Sequence, residues 1–194
     1  MSSQKSPKEV HWYALRSTYG REKKAYEYII ANGGEAFHPT IMAEKTINGK
    51  NKLVEVSRLP NIFFARGTEE AIKAFVYDNV NLPYLRFYYR HFRDDKNKES
   101  KEPLIVPDDQ IESLKIICSA DAEDIIFASE GIEKFKNGQL VRIVNGDFCG
   151  VTGRVARYQG QQRVAVVIEG LFTVATTYIP SAFLSALQQS LATH

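Results

Sequence analysis

Gly138-Gln139-Leu140-Val141-Arg142-Ile143-Val144-Asn145-Gly146-Asp147-Phe148-Cys149-Gly150-Val151-Thr152-Gly153-Arg154-Val155 decides how the C-terminal part of this chain folds. Short β-rich runs alternate with glycines at 138, 146, 150 and 153. Glycine reaches positive φ without a Cβ clash and lets strands cross closely, so this spacing predicts tight turns between short strands. The rhythm continues through Gly160 and Gly170, giving runs at Leu140–Val144, Arg154–Tyr158, Arg163–Ile168 and Leu171–Ile179. Gly160 lies in a hairpin turn, Tyr158-Gln159-Gly160-Gln161-Gln162. Short strands with close turns predict a small SH3-like β-barrel over residues 135–184, apolar enough to fill itself without metal or disulfide. Residues 185–194 read as a tail.

Working outward, residues 120–134 are acidic and break the pattern, so they read as a linker. The alternative is that they continue the helix before them. Residues 104–134 hold 2 basic and 8 acidic side chains, a balance of −6. Residues 1–103 hold 18 and 13, a balance of +5, and residues 135–194 hold 5 and 2, a balance of +3. Two mildly basic segments flank an acidic one, which suits a phosphate-facing surface without requiring it.

The N-terminal part alternates strands and helices. Residues 1–9 read as a tail. His11–Arg16 is rich in β-formers and predicts a first strand. Ser17 or Thr18 is placed to cap a helix starting near Arg21, which Asn32-Gly33-Gly34 ends. Glu35–Glu44 is extended, and Asn48-Gly49 predicts a hairpin arm over Glu44–Val56. Asn61–Arg66 reads as a buried strand. Thr68 caps a second helix, with Ile72, Phe75 and Val76 as its apolar stripe. Tyr84–Phe92 reads as one aromatic strand, Arg93–Glu102 as a charged loop, Leu104–Val106 as a short strand, and Pro107-Asp108 opens a third helix. The order β-α-β-β-α-β, with an added strand and helix, predicts a ferredoxin-like α+β domain over residues 10–119.

Several function classes are excluded or unsupported. No apolar run approaches the roughly 20 residues of a membrane helix. The polar start, Met1 to Lys8, lacks the apolar core of a signal peptide, so the expected location is the cytoplasm, with no membrane partner. Cys118 and Cys149 fit neither a zinc spacing nor a disulfide framework. His11, His38, His91 and His194 are scattered. No catalytic motif of the P-loop, HExxH, nucleophile-elbow or Ser/His/Asp kind is present, so no enzyme, metal or cofactor is expected.

Three pieces together resemble one family. They are Trp12-Tyr13 followed by Arg16 and Arg21-Glu22-Lys23; Leu59-Pro60-Asn61-Ile62-Phe63-Phe64; and the glycine-rich stretch quoted first, which resembles a KOW motif. Their order is similar to NusG-type transcription factors, with an NGN domain, a linker and a KOW barrel. Leu59-Pro60-Asn61-Ile62 stands where the general factor has Phe-Pro-Gly-Tyr, so the chain looks more like the specialised RfaH- and UpxY-type antiterminators of capsular polysaccharide operons.

That resemblance implies a monomeric, non-enzymatic regulator of transcript elongation that suppresses pausing and termination. It implies an apolar patch of Tyr13, Leu59, Ile62 and Phe87, with Trp12 behind it, that grips the clamp helices of the RNA polymerase β′ subunit. Core packing is the alternative for each of these. It implies a second surface for upstream or non-template DNA at Arg16, Tyr19, Arg21, Lys23 and Lys24. Here cations meet phosphates and Tyr19 stacks on an unpaired base; a solvated helix face is the alternative. In the family the KOW barrel meets a ribosomal protein or Rho; Phe148, Leu171 and Phe172 are the candidates here, with Ile168 better explained by packing. Two competing readings remain. One is a stand-alone single-stranded RNA-binding module using the aromatic strands of the sheet; the other is a ribosome-associated or structural KOW protein.

Overall fold

The structure is a computed structural model that describes residues 9–93, 97–120, 122, 124–128, 138–168 and 170–187. The two expected tails, apart from Glu9 and residues 185–187, and the linker's later part, 129–134, lie outside them. The chain divides into two compact units, one running to Asp108 and one from Asp109.

In the first unit the elements are β1 (Val10–Ser17), α1 (Glu22–Ala31), β2 (Glu35–Phe37), β3 (Thr40–Ile47), β4 (Lys50–Ser57), β5 (Ile62–Thr68), α2 (Glu69–Val76), β6 (Leu85–Phe87), β7 (Tyr89–Arg93), β8 (Glu99–Pro103) and β9 (Ile105–Val106). The main sheet runs β2-β5-β1-β6, and β9 also pairs with β1, at Trp12 and Tyr13. All its pairs are antiparallel. With the β3–β4 and β7–β8 hairpins set aside, this is the β-α-β-β-α-β order that the sequence predicts.

Strand alternation builds the core. Tyr13 and Leu15 of β1, Phe63 and Ala65 of β5, and Leu85 and Phe87 of β6 are buried in one cluster with Ala25 and Ile29 of α1 and Ile72 and Val76 of α2. Burying large apolar side chains contributes about 1.5–3 kcal/mol each, so these residues carry much of the unit's stability. Thr68 caps α2, its hydroxyl accepting from the Ala71 amide at 3.2 Å.

Three local expectations change. The residue before α1 is Arg21, with no side-chain cap, because Thr18-Tyr19-Gly20-Arg21 forms a turn between strand and helix. Ser17, expected as a cap, is buried and its hydroxyl points to Glu22 at 3.4 Å. The aromatic strand breaks at Tyr88, whose amide donates to Ala14 O (2.9 Å) and whose carbonyl accepts from Leu104 N (2.8 Å). Beyond it β7 turns away to pair with β8, inside the segment read as a loop. That hairpin needs no core, since backbone pairing, an Arg90–Glu102 ion pair and Lys101 over the Tyr89 ring support it.

The second unit contains α3 (Asp108–Ser119, counted here from Asp109), β10 (Ile126–Ala128), β11 (Leu140–Ile143), β12 (Thr152–Tyr158), β13 (Gln161–Ile168), β14 (Phe172–Ala175), a 3-10 turn (Ser181–Phe183) and β15 (Leu184–Ala186). Its strands form one antiparallel sheet, β10-β14-β13-β12-β11-β15. The glycines serve close approach. A Cβ on Gly138 would lie 1.7 Å from Val155 O, and one on Gly153 would lie 2.5 Å from Ala165 O. α3 joins this sheet through Ser113, whose hydroxyl accepts from Thr152 N (3.0 Å) and donates to Thr152 O (3.3 Å). Ile126–Ala128, in the stretch read as linker, pairs with β14. Arg163, fully buried, holds that stretch: it donates to the Asp124 carbonyl and carboxylate, to Thr176 O (2.9 Å) and to Gln161 Oε1 (2.9 Å).

Among the described residues, no helix is long and apolar enough to cross a membrane, and no His/Cys/Asp/Glu group is placed to hold a metal ion. Cys118 and Cys149 are not joined in a disulfide.

Candidate nucleic-acid and polymerase interface

One end of the first sheet gathers cations around an exposed tyrosine. Arg16, next to last in β1, sits directly opposite Arg86 of β6, and both are exposed. Like charges directly opposite each other destabilise a strand pair, so this pairing calls for a compensating anion. Arg86 donates to Pro83 O (2.9 Å) and Leu85 O (2.6 Å), which fixes its guanidinium along the sheet edge. Arg21 lies over the Tyr84 ring, 5.1 Å from its centre. Between Arg16 and Arg21 the chain turns through Tyr19 and Gly20, both at φ 63.

Two left-handed residues in succession suit Asn and Gly, not a tyrosine. Tyr19 is nonetheless there, and its ring is 88% exposed. A neighbouring loop holds it. Leu59-Pro60-Asn61-Ile62 closes a β-turn, with Ile62 N donating to Leu59 O (3.1 Å), proline second and Asn61 third at φ 66. Proline followed by a positive φ is the type II signature, and asparagine replaces glycine there at little cost. The Asn61 side chain then accepts from Gly20 N (3.0 Å), and its carbonyl accepts from Ser17 N (3.0 Å). Backbone strain of this kind, fixed by specific bonds, is characteristic of binding sites.

Of the cations expected around this turn, Lys23 has another task. Its ammonium donates to Glu55 Oε2 of β4 at 2.8 Å, and Thr40 of β3 donates to Glu55 Oε1 at 2.9 Å. The hydrogen bond with Lys23, then that with Thr40, holds the Glu55 carboxyl below its usual range. Lys24 stands exposed on α1. The structure therefore brings Arg16, Tyr19 and Arg21 together and adds Arg86. Alternation along Tyr84–Phe92 puts Arg86 on the face opposite Leu85 and Phe87, which is the signal in the sequence that marks it.

The family model described as transcription termination factor NusG matches residues 10–115, more than half of the chain. The chain belongs to the NusG family. A solved structure titled "Domain interaction in Thermotoga maritima NusG" is similar over 93% of this chain and 98% of that one, at 17% identity and a TM-score of 0.43. A likeness of that size adds nothing to the family match. Among curated proteins, none matches this chain. NusG-family proteins are transcription factors that bind RNA polymerase, not enzymes.

Within this NusG-family chain the four residues expected to grip polymerase do not form one patch. Tyr13 (1% exposed) and Phe87 (4%) meet edge to face, ring centres 5.8 Å apart, inside the helix-covered core. Burial, with help from the Glu69 carboxylate, pushes the Tyr13 hydroxyl up to about 12. Ile62 pairs with Arg16 and so projects from the opposite sheet face, half-buried. Leu59 is buried, its amide and carbonyl both bonded to the Ser57 hydroxyl. Tyr13 and Phe87 thus lack the open area that a contact requires, because alternation turns them towards α1 and α2. Trp12, expected behind the patch, is buried on the Ile62 face.

Apolar area open to solvent lies elsewhere. Met42 and Leu53 are 53% and 63% exposed, diagonal neighbours on one face of the β3–β4 hairpin. Tyr77 and Val80 are exposed after α2. In the second unit Phe148 and Phe172 are buried and Leu171 is half-buried, so two of the three expected contact residues are packing residues. Ile168 is buried, and among the described residues the exposed large apolar side chains there are Val144 and Tyr178.

Proposed function

We propose that this chain is a specialised elongation regulator that bridges RNA polymerase and DNA, reducing pausing and termination on particular operons, with capsular polysaccharide operons as the first place to look. The observation that carries the DNA half is Tyr19, a ring displayed on a strained turn among Arg16, Arg21 and Arg86. Guanidinium groups take phosphates, and a tyrosine ring offers a stacking face for an unpaired base of the non-template strand. The polymerase half rests on family membership. Ile62 and the Leu59–Asn61 turn supply its contact with the β′ clamp helices, and Tyr13 and Phe87 support the sheet from beneath. The C-terminal unit is a KOW domain that meets a further partner, a ribosomal protein or Rho, and the protein acts as a monomer in the cytoplasm.

Burial argues against the sheet as a single-stranded RNA platform, because Phe63, Phe64 and Phe87 have no open ring face.

A transcription assay with purified core polymerase tests the proposal. Wild type should be retained by polymerase and shorten pauses; Ile62→Asp should lose retention, and Arg16→Ala/Tyr19→Ala should keep it but lose the effect on pausing. A wild-type protein that neither binds polymerase nor alters pausing overturns the reading.

A further inference from the structure

His38 and Pro39 join β2 to the β3–β4 ribbon; Pro39 is buried and His38 half-buried. The His38 ring rests against Tyr26 of α1, ring centres 5.9 Å apart. The chain leaves β4 through Ser57 and Arg58 and enters the Leu59–Ile62 turn. Two bonds tie these segments together. Arg58 N donates to Pro39 O (2.9 Å), and His38 Nε2 meets Ser57 Oγ (3.2 Å).

The direction of the second bond follows from counting hydrogens. A serine hydroxyl has one hydrogen and two lone pairs. Ser57 Oγ gives its hydrogen to Leu59 O, its shortest contact at 2.9 Å, and accepts from Leu59 N at 3.2 Å. One lone pair is left for His38, so the imidazole donates through Nε2–H. Burial, the largest influence, holds His38 below its usual range against the Glu22, Glu55 and Glu27 carboxylates, with Lys23 acting alongside burial. The ring is therefore neutral near pH 7, with its single proton on Nε2. Leu59 O in turn accepts twice, from the Ser57 hydroxyl and from Ile62 N (3.1 Å). That carbonyl closes the turn whose third residue, Asn61, holds Ser17 N and Gly20 N. Bonds thus run without a break from His38 through Ser57, Leu59 and Asn61 to the turn that displays Tyr19.

We infer that His38 is a positioning residue: its Nε2–H, acting through the Ser57 hydroxyl, sets the Leu59–Ile62 turn and with it the presentation of Tyr19. Neither His38 nor Ser57 has to touch DNA or polymerase to do this. The inference rests on the reading of the Tyr19 turn as a nucleic-acid contact and adds the residues that hold it in shape.

Anisotropy of a single-stranded DNA oligomer with the full chain, and hydrogen exchange at the Gly20 and Ile62 amides, test it together. H38L should weaken binding about 2- to 10-fold, the worth of one hydrogen bond, and speed exchange at both amides. S57A should do the same. H38L/S57A should lose no more than either alone, because both changes cut one chain of bonds. H38Q, whose amide nitrogen reaches the place of Nε2, should restore binding and exchange. V76A loosens the same core from α2 and should leave binding as in wild type. Nitrogen NMR of the imidazole at neutral pH should show a protonated Nε2 and a bare Nδ1. The opposite tautomer, losses that add in H38L/S57A, or an H38Q as weak as H38L overturns the inference. Binding by wild type with H38L indistinguishable from it keeps the DNA reading and removes the brace. No binding by wild type, with exchange faster in H38L and restored in H38Q, removes the DNA reading and keeps the brace.

Discussion

Tyr19 and Asn61 show how single residues set the turn proposed to meet nucleic acid. A non-glycine residue in the left-handed region costs about 1–2 kcal/mol, less for asparagine. Tyr19→Asn should therefore stabilise the first unit by about 1 kcal/mol, raising its melting temperature by several degrees, while weakening single-stranded DNA binding roughly 5- to 30-fold. Thermal melts and anisotropy on the same samples check this, and a variant that loses stability and binding together would show that the ring is merely packed. Asn61→Gly keeps the positive φ but removes the acceptor for Gly20 N, so binding should fall towards that of Tyr19→Ala. Asn61→Asp keeps the acceptor and should restore most of it; equal binding in Asn61→Gly and wild type would remove Asn61 from the site. Arg16, Tyr19 and Arg21 were legible as a cluster because they are close in sequence. Tyr13 and Phe87 were misplaced because a strand's alternation tells which residues share a face, not which face the helices cover.

Elements were legible wherever local chemistry is decisive. Thr68 as a cap, Asn48-Gly49 as a turn and the order of strands and helices along the first unit follow from capping, turn and periodicity rules. β8 and β10 escaped notice because neither has the signal those rules use. The first is a run of charged residues paired through backbone, and the second is three residues in an acidic stretch. What fixes β10 is a residue far away in sequence, Arg163, whose guanidinium holds Asp124 just ahead of it. Arg163→Met should leave the Asp124 and Thr176 carbonyls without their donor and speed amide exchange at Ile126–Ala128; unchanged exchange there would show that strand pairing alone suffices. Gly138→Ala forces a Cβ into Val155 O and should destabilise the second unit by about 2–3 kcal/mol. Gly160→Ala, which meets nothing but has φ 77, should cost nearer 1 kcal/mol in denaturant melts followed by circular dichroism.

The titrating groups with resolved shifts give the whole chain a sensitivity at each end of the pH scale. Tyr13 and Tyr89 are both pushed up to about 12, the first chiefly by burial and the second by burial and its hydroxyl contact with Tyr77. In the unfolded chain they ionise near 10, so the stability they confer is complete below about pH 10 and lost as pH rises towards 12. The lone tryptophan, Trp12, lies in the same unit, so its fluorescence in denaturant should report a falling midpoint from about pH 9 to 11.5; a constant midpoint would contradict the assigned burial. Glu55 works in the opposite direction. Its folded carboxyl sits below the ordinary 4.5, so its contribution is complete above that value and disappears as pH falls through the lowered one. This one side chain joins Thr40, Lys23 and β4, so its protonation in strong acid takes away the carboxylate that Lys23 of α1 grips, and the ion pair between ribbon and helix goes with it.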